Sequence, residues 1–195
     1  LLASEMAARG YPFSLDIGVS YELSAQGLRC EFSIQNIGDT DAPVAAGFHP
    51  YFVGAAPRVD GSTLRLPARK LIEFAPGFIP TGKVLPLEGT GLDFTTPRTL
   101  GPTMFNHCLA DLERDASGLA HASLLDPATG FQTKIWMSSR LEYLVVYTGE
   151  ALGPDARKAI AIEPMTCPPN ALRTGTDLIR LDPGSSWTSR WGIRA

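Results

Sequence analysis

Hydrophobic and polar residues alternate along much of the chain. Phe13, Leu15, Ile17, Val19, Tyr21 and Leu23 alternate with Ser14, Asp16, Gly18, Ser20 and Glu22. A period of two is the mark of a strand with one buried face and one wet face. Ser24-Ala25-Gln26-Gly27 has turn chemistry, and Leu28, Cys30, Phe32 and Ile34 then alternate with Arg29, Glu31, Ser33 and Gln35. The two runs predict an antiparallel hairpin. Residues 43–53 read differently. Val44-Ala45-Ala46-Gly47-Phe48 is apolar at every position, which predicts a central strand covered on both faces. Within it His49 and Tyr51 share one side, and Phe48 and Phe52 the other. Further strands are predicted over 62–66, 70–74, 121–125, 131–137, 143–147, 159–163, 178–181 and 186–193. Residues 76–102 are rich in Gly, Pro and Thr without periodicity and read as a long loop with at most short strands, the kind of loop that is often functional in a compact β protein. Beyond the first ten residues no segment sustains a 3.6-residue apolar period. The pattern therefore predicts an all-β chain, a sandwich of antiparallel sheets formed by residues 1–195 as one domain.

Composition sharpens this picture. The chain holds 19 glycines and 16 prolines in 195 residues, a turn-rich usage. Its net charge of −3 argues against a nucleic-acid partner, which calls for a basic face, and against a polybasic membrane anchor. No apolar run approaches the ~20 residues of a membrane-spanning helix, and residues 1–10 lack the apolar centre of a signal peptide. Cys30, Cys108 and Cys167 are odd in number and widely spaced. They suggest reduced thiols in a cytoplasmic protein rather than a disulfide framework or a metal-binding pair. The chain starts with Leu, which suggests a fragment or a processed product.

Few residues can carry chemistry. His49 sits in an aromatic, apolar strand end. It can be a buried histidine satisfied by the backbone, or a proton donor tuned by a neighbouring carboxylate. Glu163 closes the apolar run Ala159-Ile160-Ala161-Ile162 before Pro164. A carboxylate there is costly unless it is paired or used, so it is either a structural ion pair or a general base. A His and a Glu on neighbouring strand ends would form an acid/base couple. The pair would have to face each other across a pocket sized for a pyranose. His107 follows Asn106, and His121 lies in an ordinary alternating strand. The three histidines lack metal-ligand spacing. There is no Gly-x-Ser-x-Gly elbow, and Cys108 beside His107 is a weak nucleophile candidate because adjacent strand residues face opposite ways. Trp136, Trp187, Trp191, Tyr51 and Phe78 could stack on sugars, although core packing is the commoner use of such residues.

Two stretches together resemble the aldose 1-epimerase (galactose mutarotase) family. Gly47-Phe48-His49-Pro50-Tyr51-Phe52 is similar to its second-histidine motif, and Glu163-Pro164-Met165-Thr166-Cys167-Pro168-Pro169-Asn170-Ala171 to its glutamate motif. Gly10-Tyr11-Pro12-Phe13, Asn36, Tyr147-Thr148-Gly149 and Leu181-Asp182-Pro183-Gly184 also match. The resemblance implies a large β-sandwich with a sugar cleft on one concave sheet, and interconversion of the α and β anomers of a free aldose without cofactor or metal. It implies His49 as the general acid on the ring oxygen and Glu163 as the general base on the C1 hydroxyl, with Asn106 and Tyr51 binding the sugar. The partner is then a small sugar.

Two departures stand out. The family has a sugar-binding aspartate where Asn106 falls, and a further stretch of chain before Gly10-Tyr11-Pro12-Phe13 that supplies another sugar-binding histidine. The chain thus reads as the C-terminal portion of such a domain, expected to expose sheet edges, to associate and to have little activity alone. Two other functions compete: a non-catalytic carbohydrate-binding module on the same fold, and a mutarotase for a sugar phosphate that uses Arg58, Arg69, Arg98 or Arg173.

Overall fold

The computed structural model describes residues 2–54 and 56–194. The predicted hairpin is present as β1 (Leu15–Ser24) and β2 (Gly27–Asn36), paired antiparallel from Leu15 opposite Asn36 to Ser24 opposite Gly27. Its turn needs glycine. Gly27 has φ +110°, and a Cβ there would lie 2.0 Å from the Ile193 carbonyl oxygen. β2 passes the pairing on to β15 (Ser186–Arg194), β11 (Gln132–Met137), β10 (Ala120–Leu125), β5 (Thr63–Arg65) and β8 (Arg98–Thr99), which completes a seven-stranded sheet in that order. A six-stranded sheet runs β4 (Tyr51–Phe52), β13 (Ile160–Met165), β12 (Tyr143–Tyr147), β9 (Asn106–Leu112), β6 (Ala68–Ala75) and β7 (Ile79–Pro86). β3 (Ala42–Val44) and β14 (Ile179–Leu181) form a separate pair. Every pairing is antiparallel.

The two large sheets enclose one core. Leu64, Leu109, Ile135, Met137, Leu144 and Ile160 are fully buried in it. Each such side chain contributes roughly 1.5–3 kcal/mol through removal of apolar surface from water. The predicted all-β, antiparallel sandwich is therefore what the chain forms.

Four details differ from the sequence reading. Residues 43–53 are not one central strand. They hold the end of β3, in its own two-stranded sheet, and β4, at the edge of the six-stranded sheet, and between them Gly47 makes an isolated bridge to Met165 of the neighbouring strand β13. Pro43 and Pro50 lack the N–H that a ladder requires, and of the apolar run only Val44 is buried, with Phe48 packed partly against the core. Residues 76–102 hold the eight-residue β7, hydrogen-bonded to β6, as well as β8. Pro76 and Gly77 make the turn between β6 and β7, where the Phe78 N–H donates to the Ala75 carbonyl at 3.1 Å. β9 is not among the predicted strands. Finally, β1 buries Leu15 alone, leaving Ile17, Val19, Tyr21 and Leu23 exposed on the free edge of its sheet.

Candidate active site

β13 presents two unlike faces. Ile160 and Ile162 join the core between the sheets, and the period of two turns Ala161, Glu163 and Met165 to the outer face. Residues 46–50 run along β13 without forming a regular ladder. The Phe48 N–H donates to the Pro164 carbonyl at 3.1 Å, and the Ile162 N–H to the Pro50 carbonyl at 3.3 Å. Thr166 closes the arrangement: its N–H donates to the Ala46 carbonyl at 2.9 Å, and its Oγ1 accepts from the Ala46 N–H at 3.0 Å. The approach is so close that a Cβ on Gly47 would sit 2.1 Å from Met165 Sδ. Phe48 and Phe52 turn into the core, Phe48 with its ring 5.3 Å from that of Trp191. His49 and Tyr51 turn out and stack on each other at 5.0 Å and 28°.

This brings His49 Nε2 to 3.1 Å from Glu163 Oε1. The residues predicted as an acid/base couple, 114 positions apart in the numbering, are thus in direct contact, rather than separated by a gap the width of a sugar. Their environments differ: the Glu163 side chain is 9% exposed and that of His49 55%. Burial raises the Glu163 carboxyl from 4.5 to about 6, an effect that the nearby His49 opposes. Tyr51 is also pushed up, first by burial and then by the negative potential of Glu163 and Tyr147. A carboxyl tuned to titrate near 6 beside an accessible imidazole can take a proton from one oxygen while the imidazole gives one to another. Two oxygens bonded to a single carbon are close enough for both.

Asn106 lies on the same face. The ladder places Tyr51 opposite Ala161, Ala161 opposite Tyr147, and Tyr147 opposite Asn106, one row across four strands. Asn106 and Tyr51 are exposed, Tyr147 is half-buried, and the Tyr147 hydroxyl accepts from the Ala151 N–H at 3.0 Å. The start of β9 is fixed by Thr148, part of the Tyr147-Thr148-Gly149 match, and by Glu150, Arg157 and Asp60, which the sequence did not single out. Thr148 Oγ1 accepts from the Phe105 N–H at 2.8 Å and donates to Glu150 at 2.6 Å. Glu150 in turn holds Arg157 at 2.8 Å, and Arg157 also donates to Asp60 and to the carbonyls of Gly101 and Thr103. These partners are separated by up to 97 residues, and no local pattern announces such a hub.

Several other candidates have structural partners. His121 pairs with Asp115 at 2.7 Å. His107 is half-buried, which lowers its pKa, and its Nδ1 accepts the Asn106 N–H. Burial pushes the Cys108 thiol up to about 12, with smaller contributions from Cys167 and Glu163; a thiol held protonated is a poor nucleophile. All three cysteines are free and buried. Arg69 is held by Glu113, and Arg98 lies over the Phe94 ring. Among the described residues, no helix is long and apolar enough to cross a membrane.

A mutarotase-like β-sandwich with a His–Glu pair on one outer sheet face is the arrangement in hand. The aldose 1-epimerase family model matches residues 2–194, so the chain belongs to that family. It is 34% identical over 176 residues to the uncharacterized protein YihR of Escherichia coli K12, covering 90% of this chain and 54% of that one. The crystal structure of the GalM/aldose epimerase homologue from C. elegans superposes with a TM-score of 0.82 at 21% identity, over 97% of this chain and 62% of the other. A galactose mutarotase-like protein from Clostridium acetobutylicum superposes with a TM-score of 0.79 at 20% identity, over 96% and 57%. At these identities the two structures establish the fold. The chain spans about half the length of the curated relative it matches.

Proposed function

We propose that the site interconverts the α and β anomers of a free aldose by acid/base ring opening. His49 protonates the ring oxygen while Glu163 accepts the proton of the C1 hydroxyl. The C1–O5 bond breaks to leave the aldehyde, C1–C2 rotates, and closure on the other face returns both protons. Asn106 and Tyr51 hold hydroxyls, so that the open chain stays in place. The observation that carries this reading is the 3.1 Å contact between His49 Nε2 and a buried carboxyl raised to about 6. Polarimetry of freshly dissolved glucose or galactose tests it. Glu163→Gln and His49→Asn should each remove on the order of 10²-fold or more of the catalysed rate. Unchanged rates in both variants reject the assignment.

A second reading is a sugar-binding module without catalysis. It is favoured by Asn106, which offers a hydroxyl an amide but no charge. Sugar binding by titration with no gain in anomer exchange would select it.

A further inference from the structure

The strand that carries Asn106 is weakly supported where Asn106 sits. β12 pairs with β9 from Asn106 to Leu109, whereas the ladder with β6 covers only Leu109 to Leu112. The first residues of β9 therefore have a neighbouring strand on one side only, and strand ends of that kind open easily. The Asn106 side chain is exposed, and its backbone N–H donates to His107 Nδ1 at 3.1 Å. Where its amide points is set by the backbone at the start of the strand.

Arg157 supplies the support that β6 does not. Its side chain is 11% exposed. Nε donates to Asp60 at 2.6 Å, Nη1 to Glu150 at 2.8 Å and to the Thr103 carbonyl at 3.0 Å, and Nη2 to the Gly101 carbonyl at 2.7 Å. A guanidinium holds its donors in a rigid planar fork, so these bonds fix three stretches of chain relative to one another. Two routes lead from the fork toward Asn106. One runs along the chain from Thr103. The other passes through Glu150 to Thr148 Oγ1, which accepts from the Phe105 N–H, while the Thr148 N–H donates to the Phe105 carbonyl at 3.0 Å. The same loop offers the Ala151 N–H to the hydroxyl of Tyr147, the residue directly opposite Asn106.

The backbone of Arg157 is held as firmly as its side chain. It adopts φ +61°, a region uncommon for a long side chain. Its N–H donates to the Thr148 carbonyl at 3.1 Å and its carbonyl accepts from the Val59 N–H at 2.9 Å. Such a conformation persists where surrounding contacts over-determine it, and it concentrates at functional sites. Among the described residues Arg157 makes no ion pair with Glu163, which is paired with His49 instead.

We propose that Arg157 is a positioning residue for sugar binding: its fork fixes the start of β9, so that Asn106 presents its amide to a hydroxyl of the sugar whose anomeric carbon lies at His49 and Glu163. The proposal rests on the reading of that site given above and adds the residue that sets its far wall. Arg157 acts through Asn106 and leaves the proton transfers to the His49–Glu163 pair.

A double-mutant cycle tests this, because residues that act through one another give losses that do not add. Glucose and galactose, each at anomeric equilibrium, are titrated into the intact chain by NMR, and polarimetry supplies KM and kcat. Arg157→Lys keeps the charge and loses the fork. Arg157→Lys and Asn106→Ala should each weaken binding about fivefold, the effect of losing one neutral hydrogen bond, with the change in KM larger than that in kcat. In the Asn106→Ala background, Arg157→Lys should weaken binding no further. Thr148→Val cuts the second route and should repeat this pattern, which keeps the test open if Arg157→Lys does not fold. A purely structural role would lower stability in urea and leave the affinity of the folded protein unmoved. Additive losses, unchanged affinity in the folded single variants, a loss confined to kcat, or no binding of either sugar by the wild type would each overturn the proposal. Coupled losses of binding in a protein that does not speed anomer exchange would reject the acid/base reading and leave the positioning role standing.

Discussion

β1 and β13 are both rich in apolar residues, yet they reach opposite environments. β1 alternates over ten residues, and all but Leu15 are exposed, from Ile17 at 42% to Leu23 at 82%. β13 shows no apolar–polar alternation, and five of its six residues are buried, Glu163 among them. The difference lies in the neighbours. β13 has β4 on one side and β12 on the other, core on its inner face, and residues 46–50 bonded along it. β1 has a partner on one side only, at the end of its sheet. Alternation therefore tells which face of a strand could be buried, whereas burial itself depends on a second layer arriving. The candidate carboxylate Glu163 sits on the crowded strand, where burial raises it to about 6.

The contrast can be broken by truncation. Ile162→Ala removes a fully buried side chain and should cost about 3 kcal/mol, whereas Leu23→Ala on β1 should change stability by less than about 0.5 kcal/mol. Urea unfolding of the two variants measures this directly, and equal losses would contradict the account of β1.

The next effect is on pH. Because the folded-state value of Glu163 lies above its ordinary 4.5, the native protein holds this proton more tightly than the unfolded chain does. Wild-type stability should fall as pH rises from about 4.5 to about 6, by about 2 kcal/mol. Glu163→Gln should lack that fall and be at least as stable as wild type at pH 8, despite its lost activity. Parallel stability–pH curves for the two proteins would remove desolvation as the cause. The catalysed rate should have its acidic limb near pH 6, since the base must be ionised to act.

The smallest effect concerns the β1 edge. A strand exposing Val19, Tyr21 and Leu23 beside unpaired backbone groups is a template for association. Val19→Lys should lower self-association in light scattering, with a stability change under about 0.5 kcal/mol. Unaltered scattering would place the sticky surface elsewhere.

Much of the site was legible because its two main residues break local rules. Glu163 ends an apolar run, and His49 sits among aromatic residues. Both violations point to use, and both residues fall on the same sheet face. Asn106 and Tyr51 were also named from sequence, and the ladder puts them in one row. The hub at Arg157 could not be found this way, since Asp60, Gly101 and Thr103 lie 54 to 97 residues away from it. β7 and β9 were lost for a related reason: β7 contains Pro80, Gly82 and Pro86, and β9 is mostly buried in mid-strand, so neither alternates clearly.

The sequence by itself determined the class of the fold, since side-chain period is local and a period of two admits only strands. It bears on the β1–β2 register as well, through the length of the turn between the two runs. Only the tertiary structure decided which apolar faces are covered, that His49 and Glu163 touch, and that Arg157 supports the start of β9. Those outcomes depend on contacts between residues far apart in the chain, where packing and desolvation, rather than local propensity, set the energies.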